Sequence, residues 1–117
     1  MEKFATSHSK RLLEICHIDD LDSDEIKKFI LPNGHAVAVY KVEEQVFITD
    51  DICSHGEASL SEDGVIDGYT VECTWHFGKF DIRDGEPCAM PCEIPIQTWD
   101  SVVTEGVVYI EVNSEIV

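Results

Sequence analysis

Apolar residues come along this chain in short runs rich in Val, Ile, Tyr, Phe and Thr, broken at brief intervals by Gly, Pro, Asn and Asp. Runs of that length with such boundaries predict strands rather than helices. Positions 12–15, 26–31, 36–41 and 45–49 predict the first four strands, with Pro32-Asn33-Gly34 and Glu43-Glu44 as turns. The short connections predict that these four are antiparallel neighbours. Further on, Asp67-Gly68 stands between Val65-Ile66 and Tyr69-Thr70-Val71, and Asp84-Gly85 follows Phe80-Asp81-Ile82; both are hairpin signals. Positions 98–103 and 107–112 predict a closing hairpin around Glu105-Gly106. The one candidate helix start is Asp22-Ser23-Asp24. The expected class is all-β, an antiparallel sandwich or small barrel.

A chain of 117 residues suits one domain with its own core. The longest apolar stretches, such as Ala36-Val37-Ala38-Val39-Tyr40, are a handful of residues, against about 20 for a membrane-spanning helix. The first ten residues are polar, without the apolar core of a secretory signal. They are expected to form a flexible N-terminal extension, with one domain over 11–117, and the expected location is the cytoplasm. Twenty-four acidic against eight basic residues give a net charge of -16, which repels phosphate backbones and anionic headgroups. Neither nucleic acid nor a membrane is expected as a partner. The acidity serves solubility, or steers the protein toward a basic partner.

Between the fourth strand and the Asp67-Gly68 turn lies a stretch dense in Ser, Gly and His rather than in apolar residues, and this is where a site is expected. Five cysteines are an odd number and no signal segment precedes them, which speaks for ligands or reduced thiols rather than a disulfide framework. Two stand in matching settings: Cys53-Ser54-His55-Gly56 and Cys73-Thr74-Trp75-His76-Phe77-Gly78. A C-x-H and a C-x2-H on two strand-anchored loops bring two sulfurs and two nitrogens to one centre. That set suits tetrahedral zinc. It also suits a 2Fe-2S cluster with the cysteines on one iron and the histidines on the other. Structural zinc sites usually group Cys with Cys and His with His, whereas each loop here supplies one of each, which favours the iron-sulfur reading.

From about residue 11 to residue 112 the chain resembles the Rieske-type 2Fe-2S ferredoxins that serve bacterial aromatic-ring-hydroxylating dioxygenases. The matching stretches include Asp50-Asp51-Ile52-Cys53-Ser54-His55-Gly56, Ala58-Ser59-Leu60-Ser61, Val71-Glu72-Cys73-Thr74-Trp75-His76-Phe77-Gly78-Lys79-Phe80-Asp81, Arg83-Asp84-Gly85 and Met90-Pro91-Cys92. The resemblance implies a Rieske antiparallel β-sandwich with a small cluster-binding subdomain, its loops at about 50–92, and a proline loop near Pro91 over the cluster. It implies one Rieske 2Fe-2S cluster held by Cys53, His55, Cys73 and His76. It also implies a one-electron carrier, not an enzyme in itself, working between an NAD(P)H-dependent flavoprotein reductase and a terminal oxygenase in aromatic hydrocarbon catabolism. A low potential is implied as well. High-potential relatives carry a disulfide where this chain has Ala58 and Trp75, and hydroxyls where it has Gly78 and Phe80.

Two competing functions share these features. A Rieske-like small subunit of a larger reductase, such as nitrite reductase, resembles the chain in fold, but such subunits often lack the ligands. A zinc-binding interaction module shares the ligand set, and would be colourless where a Rieske protein is red-brown. The remaining cysteines, Cys16, Cys88 and Cys92, read as reduced structural thiols. His8, His17 and His35 read as surface residues and Trp99 as a core residue. Trp75 is either a docking aromatic or a lid on the cluster. The acidic run Asp19, Asp20, Asp22, Asp24 and Glu25 reads as a solvated loop.

Overall fold

The computed structural model describes residues 10–23, 25–52, 58–73, 78–89 and 95–113. The expected extension at 1–10 lies outside them save for Lys10. Among the described residues there are eleven strands: β1 (Lys10–His17), β2 (Lys27–Ile30), β3 (Ala36–Val42), β4 (Gln45–Asp50), β5 (Gly64–Asp67), β6 (Thr70–Cys73), β7 (Gly78–Asp81), β8 (Pro87–Ala89), β9 (Thr98–Trp99), β10 (Ser101–Thr104) and β11 (Val107–Asn113). One helical turn, α1 (Leu60–Asp63), precedes β5, and a 3-10 turn at Ile18–Asp20 follows β1. The strands form three sheets, ordered β1-β11-β10, β2-β3-β4-β9 and β5-β6-β7-β8.

Every pairing is antiparallel, and the all-β expectation holds. The expected neighbour relations hold for β2, β3 and β4 but not for β1. That strand leaves for another sheet, where Leu12 faces Glu111 and Leu13 faces Ile110. The 3-10 turn redirects it. The Asp19 amide donates to His17 Nδ1 at 3.2 Å, and the His17 amide donates to Asp20 Oδ2 at 3.3 Å. The Ile18 amide then donates to Gly106 O at 2.7 Å, tying the bend to the β10–β11 turn. The expected strand 98–103 is likewise two strands. Trp99 pairs with Ile48 of β4, whereas Ser101 pairs with Ile110 of β11. The chain changes sheet at Asp100, whose carbonyl accepts from the Glu111 amide at 2.9 Å. No helix starts at Asp22 or Ser23, the described residues of the expected start.

β3 is buried on both faces, which is why residues 36–40 form a continuous apolar run instead of an alternating one. Val37 and Val39 join Ile48, Val108, Ile110 and Val112 in a core between the first two sheets. Ala38 and Tyr40 face the other way, into a second core with Ala58, Leu60, Val71, Cys73, Phe80, Ile82 and Ile96. Each such aliphatic or aromatic side chain contributes about 1.5–3 kcal/mol by leaving water. The Tyr40 hydroxyl meets Thr49 Oγ1 at 2.8 Å inside this core, and burial pushes the phenol well above its ordinary value. β4 and β9 are direct partners (Thr49 with Thr98), so the whole segment from Asp51 to Gln97 is an excursion from one sheet that returns beside its starting point.

The β3–β4 turn places Glu43 and Glu44 at positive φ, 51° and 68°, the geometry of a two-residue primed turn that favours Asn-Gly. Glutamate in that region carries a steric cost between Cβ and the carbonyl oxygen. Its pairing with Lys41 at 3.8 Å is on a side chain 82% exposed, and such pairs contribute little. Glu44→Gly relieves about 1–2 kcal/mol of that cost against about 0.5–1 kcal/mol of added chain entropy, so stability is expected to rise by about 0.5–1 kcal/mol, read as a higher urea midpoint at unchanged slope.

Candidate metal centre

Cys73 is the last residue of β6 and is fully buried. It pairs with Gly64 on one side and Gly78 on the other, so the two residues that flank the expected loop 74–77 face each other. Phe80 stands in the same core as Cys73. Gly78 is two residues earlier on β7 and is also buried, as the alternation of that strand requires.

The residues flanking the other expected loop, 53–57, are paired as well. Ile52 and Ser59 form a bridge across it. Asp51, fully buried, accepts from the Ser59 hydroxyl at 2.6 Å and from the Ser61 amide at 2.8 Å, while its carbonyl accepts from the Leu60 amide at 2.6 Å. Lys28 of β2 brings its ammonium to 3.9 Å from Asp51 Oδ2 and 3.5 Å from Glu62 Oε2.

The two bases adjoin. α1 begins one residue after Ser59 and ends at Asp63, so about 6 Å of helix separates the first loop's base from Gly64, the partner of Cys73. A Cβ on Gly64 would lie 2.5 Å from the Leu60 carbonyl oxygen, so only glycine lets β5 leave the helical turn so tightly. Ala58 and Leu60 share one core with Cys73. Of the four expected ligands, Cys73 is placed by the structure; Cys53, His55 and His76 lie outside the described residues, as do Trp75, Pro91 and Cys92.

A sulfur donor buried among Ala58, Leu60, Val71 and Phe80 suits a 2Fe-2S cluster. The apolar wall would keep water from a cluster held there, and Cys53, His55 and His76 would supply the other three donors. Among the described residues no group of three or more His, Cys, Asp or Glu is arranged to hold a metal ion.

The other titratable candidates go elsewhere. His17 caps the 3-10 turn; His35 hydrogen-bonds Asp50 and lays its ring against Trp99 at 5.5 Å. Both are exposed, as expected for surface residues, and His8 lies outside the described residues. Trp99 is only half-buried, a correction to its reading as a core residue: one edge packs on the first core and the other meets His35. Cys16 is partly buried against that core, and burial pushes its thiol up, which suits a structural role. Cys88 is exposed on β8, where its thiol donates to the Glu86 carbonyl at 3.7 Å, so no core packing explains it. Asp51 and Lys28 are the site residues that sequence reading passed over. The available signal was an aspartate two positions before Cys53 with a Ser-x-Ser just after the loop.

The model of the Rieske [2Fe-2S] domain matches residues 11–100. The ferredoxin component of the p-cumate 2,3-dioxygenase system of Pseudomonas putida is 55% identical over 103 residues, covering 88% of this chain and 87% of that one. The Sphingomonas yanoikuyae B1 ferredoxin superposes with a TM-score of 0.81 at 38% identity, covering 86% of this chain and 98% of that one. The ferredoxin in a complex of reduced oxygenase and oxidized ferredoxin of carbazole 1,9a-dioxygenase does so with a TM-score of 0.79 at 38% identity, covering 84% and 99%. A Mycobacterium tuberculosis chain described as an NADH-dependent nitrite reductase small subunit shares the fold, with a TM-score of 0.76 at 16% identity.

Proposed function

We propose that this chain, which belongs to the Rieske [2Fe-2S] domain family and binds one cluster of that type, takes electrons singly from an NAD(P)H-dependent flavoprotein reductase and delivers them to a terminal ring-hydroxylating oxygenase. The observation that carries this is the 55% identity, over 88% of the chain, to a dioxygenase ferredoxin component. It is an electron carrier and not an enzyme. The nitrite reductase alternative rests on likeness of fold at 16% identity and is not adopted.

Cys53, His55, Cys73 and His76 would hold the cluster in this reading. The cluster supplies one-electron redox chemistry, with two neutral imidazoles leaving it less negative than an all-cysteine centre. The chain's own residues do the rest. Ala58, Leu60, Val71 and Phe80 exclude water around Cys73, and the Cys73–Gly78 and Ile52–Ser59 pairs fix the bases of the two loops. Gly78 and Phe80 offer no hydroxyl on the buried face of β7, in keeping with a potential toward the negative end of the range of about -150 to +300 mV. The charge of -16 disfavours nucleic acid and anionic membranes, and no helix among the described residues is long and apolar enough to cross a membrane. The cytoplasm is the proposed location.

The test is reconstitution. With NADH, a flavoprotein ferredoxin reductase and the p-cumate 2,3-dioxygenase oxygenase, hydroxylated product is expected only when the holoprotein is added. A protein that is reduced yet never supports turnover, or one whose potential lies near the positive end, overturns the assignment.

A further inference from the structure

Asp51 is a fully buried carboxylate with donors around it: the Ser59 hydroxyl at 2.6 Å from Oδ2, the Ser61 amide at 2.8 Å from Oδ1 and the Lys28 ammonium at 3.9 Å from Oδ2. The hydroxyl and the amide both donate, and the carboxylate accepts from each. The nearest cation cancels the charge incompletely. Lys28 is 40% exposed and stands closer to Glu62, at 3.5 Å, than to Asp51, so solvent and a second anion share its field. Asp51 is also two residues from Cys53 in the chain, which bounds the separation of their Cα atoms to about 7 Å. A buried anion that close along the chain to a ligand disfavours a further electron on the centre.

We propose that Asp51 is a positioning residue that also sets the potential of the centre: its hydrogen bonds hold the base of the 53–57 loop closed, and its buried charge makes the cluster harder to reduce, with Lys28 as the partial counterweight. This rests on the cluster assignment above. Neighbouring aspartates do not share the role. Asp50 has its carboxylate turned to His35 near the surface, and Asp63 lies at the far end of α1.

The experiment is voltammetry on the full-length holoprotein, wild type beside Asp51→Asn, Lys28→Met and Ser59→Ala. Asp51→Asn is expected to raise the potential enough to shift the reduced-to-oxidised ratio at least tenfold at a fixed poise, about 59 mV for one electron. Lys28→Met is expected to lower it. Ser59→Ala keeps the charge, so it should leave the potential near wild type while speeding cluster loss. Mere loosening of the loop would not drive the first two variants in opposite directions. An unchanged or lowered potential in Asp51→Asn overturns the proposal. Should that variant fail to hold its cluster, Lys28→Met decides: a lowered potential upholds the proposal and an unchanged one sinks it. Wild-type protein without iron and sulfide would instead overturn the cluster assignment on which it stands.

Discussion

Cys73→Ala protein is expected to be purified colourless, its iron and labile sulfide falling from about two of each per chain to almost none. Its thermal transition should also fall. The sulfur lies fully buried at the end of β6, with Gly64 and Gly78 paired to either side. Binding free energy at such a centre is also folding free energy, so the loss reaches beyond the site. Cys88→Ala removes an exposed thiol from β8 and is the control, expected to retain the full complement and the visible spectrum. Equal iron in the two variants would show that Cys73 is not a ligand.

The second large effect is expected at a residue with no side chain. Gly85 has φ +79°, and a Cβ there would lie 2.1 Å from the Ile96 carbonyl oxygen and 3.1 Å from Thr98 Cγ2. The contact cannot open cheaply, because the Ile96 amide donates to the Gly85 carbonyl at 3.0 Å and the Gly85 amide to the Asp81 carbonyl at 2.7 Å. Backbone strain and overpacking each cost about 1–3 kcal/mol. Gly85→Ala is therefore expected to destabilise by about 3 kcal/mol or more, a fall in Tm of over about 10 °C for a domain of this size. Gly85 ties the end of the β7 turn to Ile96, on either side of the expected proline loop, so cluster loss on dilution should quicken as well. Circular dichroism melting with the decay of visible absorbance reads both. A melting point within about 2 °C of wild type would show that the turn yields without strain.

What could be read from the sequence was whatever leaves a local mark. β6 and β7 alternate buried and half-buried residues, and their hairpins carry Asp-Gly, so both were visible. The pairing of β1 with β11 joins opposite ends of the described chain, and no window of residues records it. The sheet change at Asp100 was hidden because neither glycine nor proline marks it; an ordinary residue turns the chain there through one hydrogen bond to Glu111. At the site, Cys73 was legible because cysteine and histidine at ligand spacing are scarce. Asp51 was not, because among twenty-four acidic residues one more aspartate carries no signal until its burial is seen. Cys88 misled for the opposite reason: cysteine is usually inside, and here its strand exposes it.

The direct partnership of Thr49 with Thr98 also bears on how such a chain can diversify. To the sheet that holds those two threonines, everything between them is one long hairpin loop. The entropy of closing a loop rises only with the logarithm of its length, about 0.6 kcal/mol for each doubling. Residues inserted into or removed from the excursion therefore cost the base sheet little, provided that Ala38 and Tyr40 stay covered on the second face of β3. The redox-bearing part can be reshaped for a new partner without renegotiating the part that keeps the chain folded, and the boundary between the two is a single pair of residues.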